Sequence, residues 1–168
     1  MPTTYEPIAT QTLGTAVADV YFNSIPQTYT DLVLVISSNT SSNTQTGYRL
    51  NSNSGNNYSE TRLSGTGSSA VSTRTNSDTF ARLDWYGGAD SSGRNILVAH
   101  FLNYTNATTF KTVLSRGSNA GGLIAGTTAV VSMWRATPAA ITSINLLTSS
   151  GANFSIGSTF TLYGIKAS

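Results

Sequence analysis

The sequence predicts an all-β protein: a single-domain antiparallel β-sandwich with jelly-roll-like winding, built from about ten to twelve short strands. Three observations carry this. Apolar residues recur every second position, turn signals interrupt them at short intervals, and no stretch combines a helical period with caps. Composition agrees. Ser, Thr and Asn supply about two-fifths of the 168 residues, and charged side chains only 10%. Thr favours strands, whereas Asn and Ser favour turns. A chain this long buries roughly 70% of its unfolded surface, enough for one core without disulfides or metals, and no linker divides residues 1–168.

The elements follow in order. "MPTTYEPIATQTL" is polar, extended and marked by proline. Residues 1–12 therefore read either as the first strand or as an N-terminal arm that clasps a neighbour by adding a strand to a sheet edge. In the second case Tyr5, Pro7 and Ile8 are its attachment contacts. After the turn "SIPQTYT", "DLVLVIS" (Asp31 to Ser37) is apolar on both faces, which marks a central strand. Its Leu32, Leu34 and Ile36 are the candidate subunit contact.

"YRLNSNSGNNYSETRL", Tyr48 to Leu63, reads as a β-hairpin whose Asn and Gly set the turn. Asn51, Asn53 and Gly55 imitate the start of a calcium loop, but calcium affinity follows ligand charge and no carboxylate appears before Glu60. "GTGSSA" at Gly65 to Ala70 has a nucleotide-fingerprint spacing, yet β-like residues follow it, so it reads as a turn. "TFARLDWY", "NILVAHFLN", "TFKTVLSR", "AVVSMWRA", "AITSINLLTS" and "TFTLYGIK" complete the strands. Within the first of these, Asp84, Trp85 and Tyr86 form a candidate glycan platform beside a Gly-rich loop, because flat rings stack on sugar faces.

The chemistry on offer is narrow. There is no Cys, and the one histidine, His100, sits in an apolar strand and reads as a buried or interface residue. Neither a His/Cys metal cluster nor a nucleophile elbow is present. Seven carboxylates leave a glycosidase pair formally open, but no catalytic, cofactor-binding or metal-binding residue is assigned and no enzyme activity is expected. Nine basic and seven acidic residues are scattered, so no run neutralises phosphates and nucleic acid is not an expected partner. No apolar run reaches the ~20 residues that span a membrane, and the first residues lack the pattern of a signal peptide.

Several phrases together resemble a family of small virion proteins of tailed bacteriophages, common in phages of cyanobacteria and marine bacteria. They are "YEPIATQTL", "SIPQTYTDL", "YRLNSNSGNNYS", "NYTNATTFKTVLSRG" and "FTLYGIKA". The resemblance runs from Tyr5 to Ala167. It implies a structural role in the virion, after synthesis in the host cytoplasm, as a capsid decoration (cement) or head-surface protein. The alternative is a receptor- or glycan-binding module of a tail fibre, spike or head fibre. The absence of shaft repeats favours decoration. The partners expected from this are the major capsid protein or other virion proteins, a homo-oligomer (a trimer above all) and, for the alternative, a host surface glycan.

Overall fold

The computed structural model describes residues 4–85, 93–119 and 126–166. Twelve strands follow one another: β1 (Tyr5–Thr12), β2 (Val20–Phe22), β3 (Asp31–Ser38), β4 (Thr46–Leu50), β5 (Tyr58–Gly65), β6 (Ala70–Asp78), β7 (Ala81–Arg82), β8 (Asn95–Phe101), β9 (Lys111–Asn119), β10 (Thr127–Trp134), β11 (Ile144–Thr148) and β12 (Thr159–Ile165). They form two antiparallel sheets, one of eight strands in the order β1-β12-β3-β8-β9-β10-β5-β6 and one of four in the order β2-β11-β4-β7. The described residues contain no helix. The protein is the expected all-β sandwich, and its chain passes repeatedly between the sheets, although eight strands facing four is an unequal division.

The strong alternators form as read. β3 lies between β12 and β8 with Leu34 opposite Leu162 on one side and Ala99 on the other. The core packs between the sheets. Phe101 meets Tyr48 edge-on at 5.5 Å, and Phe154 meets Phe160 at 5.1 Å, favourable geometries for rings. Gly164 is a requirement of packing: the Tyr29 ring lies over it so closely that an added Cβ would stand 2.3 Å from the ring.

Residues 5–12 are the first strand rather than a free arm. β1 pairs with β12 from Tyr5 opposite Ile165 to Thr12 opposite Thr159, with a bulge between Pro7 and Ala9. Tyr5 packs its ring on Tyr163 at 6.4 Å, and Ile8 packs against the core. Proline is tolerated here because β1 is an edge strand.

The hairpin expected at Tyr48–Leu63 does not form. β4 pairs with β11 and β7 in the smaller sheet, while β5 pairs with β10 and β6 in the larger. "NSNSGNN" is therefore an arch between sheets. Asn51 and Ser52 both take positive φ, 50° and 56°. The Asn51 amide donates to Ala140 O at 2.7 Å and accepts from the Thr142 and Ser143 N–H groups. Tyr58 closes the arch: its hydroxyl accepts from Leu50 N at 2.9 Å and donates to Asn53 O at 3.0 Å. Burial pushes its pKa up to about 12. "GTGSSA", by contrast, is the expected turn, joining β5 to β6 with Thr66 N bonded to Ser69 O.

"TFARLDWY" yields only the two-residue β7 before the chain turns irregular. This segment lies over the inner face of β9, β10 and β5, and its backbone groups are answered from that face. Ser115 Oγ donates to Leu83 O at 2.7 Å, Thr128 Oγ1 donates to Trp85 O at 3.0 Å, and Arg82 N donates to Glu60 Oε2 at 2.6 Å. Buried backbone groups outside a ladder need such partners.

Candidate interaction surface

The register of the large sheet sorts its side chains cleanly. Inward runs the row Leu162, Leu34, Ala99, Ser115, Val130 and Arg62. Outward runs the row Val33, His100, Leu114, Val131 and Thr61, and next to it Val35, Val98, Arg116, Ala129 and Leu63. The outward face of a one-sided sheet is ordinarily polar. Here Leu63 is 59% exposed, Val131 49%, Ile96 44% and Leu114 40%. Leu63, His100, Leu102, Leu114, Arg116 and Val131 line a shallow groove of about 450 Å³. A second groove of about 560 Å³, reaching Ala70 and Val71, shares Leu63 and Ala129 with it. The two form one apolar tract over β8, β9, β10, β5 and the start of β6. Contiguous tracts of this kind mark interaction sites.

The anticipated site residues lie elsewhere. Leu32, Leu34 and Ile36 are fully buried and face the four-stranded sheet as the centre of the core, so they make no subunit contact. Alternation on β3 sends Val33 and Val35 outward instead, and sequence periodicity does not reveal which parity faces the second sheet.

Asp84 is 2% exposed. Its carboxylate accepts from Thr46 N at 3.0 Å and from Asn95 Nδ2 at 2.8 Å. Desolvation raises its pKa to about 7 against those two hydrogen bonds. Trp85 carries the Arg62 guanidinium 3.7 Å from its ring centroid, and Tyr86 lies outside the described residues. Of the candidate glycan platform, Asp84 is therefore interior rather than surface, and Trp85 is half-buried against Arg62. Tyr5, Pro7 and Ile8 belong to the edge strand already described.

Beside Asp84 lies an ionic cluster. Glu60 Oε1 stands 2.9 Å from Arg62 Nη1 and 3.1 Å from Arg82 Nη1, and Arg82 Nη1 is 2.9 Å from Asp78 Oδ2. Glu60 and Arg62 are buried. Burial lowers the Arg62 pKa, and the Glu60 charge opposes that shift. The six described carboxylates are all engaged internally: Glu6 with Lys166, Asp19 with Asn145, Asp31 with Asn103 N, and Glu60, Asp78 and Asp84 as above. His100 is half-buried on the outer face, lining the groove. The amide oxygens of the imitated calcium loop serve the arch, Asn53 Oδ1 accepting from Asn57 Nδ2 at 3.0 Å. Among the described residues no group of three or more acidic or histidine side chains is placed to hold a metal, and no helix is long and apolar enough to cross a membrane.

Sequence reasoning missed the outer tract because its members are dispersed over five strands. The available signal was the both-faces-apolar character of "DLVLVIS" and "NILVAHFLN", together with Leu63, Leu114 and Val131 at positions where alternation called for polar residues. No family model matches the chain, and no curated protein matches it.

Proposed function

We propose that the chain is a non-enzymatic structural protein of a phage particle, a capsid decoration (cement) protein that binds the shell and stabilises it. The observation that carries this reading is the apolar outer face of the eight-stranded sheet, on a domain whose core is already filled between its two sheets. A solvent-facing sheet that displays Leu63, Ile96, Leu114 and Val131 is suited to docking on another protein surface. The resemblance to tailed-phage virion proteins supplies the particle. The expected trimer has to be assembled through surfaces other than Leu32, Leu34 and Ile36.

The alternative is a receptor- or glycan-binding module of a tail fibre, spike or head fibre; of its candidate platform Asp84, Trp85 and Tyr86, the Asp84 carboxylate is buried and the Trp85 ring is half-buried against Arg62. Copy number separates the two readings. Quantitative protein analysis of purified particles should find on the order of hundreds of copies, as repeated symmetric docking on a shell requires. A handful per particle rejects decoration.

A further inference from the structure

The outer face carries an electrostatic asymmetry that specifies its partner. On β8, β9, β10 and β5 the outward positions hold Arg116 and no carboxylate. Arg116 is exposed and stands in register between Val98 and Ala129, in the midst of the apolar tract. Of the cations near this face, Arg94 just before β8 donates to Ser37 O at 3.3 Å, and Arg74 on β6 is aligned with Thr61 and donates to Asn76 Oδ1 at 3.0 Å. No described carboxylate is left over to answer Arg116, because all six are engaged elsewhere.

We infer that this face docks an apolar protein surface that presents a carboxylate to Arg116. The occupant is a different protein, the shell protein of the reading above, on which this inference rests. Two considerations fix the choice. Covering Arg116 without an opposite charge is strongly unfavourable, so the partner has to supply one. A second copy docked face to face across a two-fold axis would bring two Arg116 guanidinium groups into one apolar contact, with no acid on either side.

The test is re-addition of the purified full-length chain to particles stripped of it, measured as occupancy against concentration. Arg116→Glu and Leu114→Gln should each weaken binding by at least about tenfold, and Arg116→Lys by much less, because the charge is kept. Both sites are solvent-exposed, and thermal melts should show all three variants folded. Wild type that binds while Arg116→Glu binds equally overturns this docking face and leaves decoration standing. Wild type that does not bind the particles overturns the decoration reading itself. Sedimentation showing a wild-type dimer dissociated by Leu114→Gln assigns the face to a second copy and overturns the inference. Binding to host-cell polysaccharide that is lost in Arg116→Glu overturns it in favour of a glycan.

Discussion

The inner face of the eight-stranded sheet changes character halfway across. Under β12, β3 and β8 the register rows hold Phe160, Ile36 and Leu97, then Leu162, Leu34 and Ala99. Continued onto β10 and β5, the same rows hold Thr128 and Ser64, then Val130 and Arg62, and a third row holds Ser132 and Glu60. The difference follows from what lies opposite. The first half is covered by apolar residues of the small sheet, among them Tyr48, Leu50, Ile144 and Leu146. The second lies under β7 and the irregular Leu83–Trp85 segment, whose backbone oxygens accept from Ser115 and Thr128. A ladder satisfies its own backbone, and an irregular strand end does not, so the sheet beneath it has to be polar.

The largest effect should come from breaking the polar half. Glu60→Ala leaves Arg62 buried beside its lost partner and exposes the Arg82 N–H, and should cost about 3–5 kcal/mol in chemical denaturation. The apolar half should answer nearly as strongly: Leu34→Ala removes a fully buried side chain, for about 2–5 kcal/mol depending on how the site collapses.

The third test is one of pH. The folded pKa of Asp84 is raised to about 7 by burial, above the ~3.9 of an unfolded chain. Its stabilising contribution is present below about pH 4 and is lost as pH rises towards 7, by roughly 1.4 kcal/mol per unit. Wild type should therefore melt at higher temperature at pH 5 than at pH 8, and Asp84→Asn should shrink that gap. An equal gap in the two proteins removes Asp84 as its origin. The smallest effect belongs to the outer face: Val131→Thr, at a half-exposed strand position, should change stability by less than about 0.5 kcal/mol, because nothing in the monomer covers it.

The strands that could be read in advance were those whose pattern is local. "DLVLVIS" and "TFTLYGIK" alternate so plainly that β3 and β12 follow. Trp85 and Asp84 misled because an aromatic beside a carboxylate looks the same whether it faces solvent or a buried Arg62. The Tyr48–Leu63 stretch misled for another reason. Two strand-like flanks around an Asn/Gly turn look identical whether they pair with each other or join opposite sheets. The deciding partners, β11 for one flank and β10 for the other, lie far along the chain.

By itself, then, the sequence determined the all-β class and the sandwich, because period, turn residues and composition act over a few residues. Tertiary structure decided which parity of β3 became core, that "NSNSGNN" is an arch, that Asp84 is interior, and that Leu63, Leu114 and Val131 share one outer face with Arg116. These depend on strand order and on what covers each face, and both are set by contacts between distant segments.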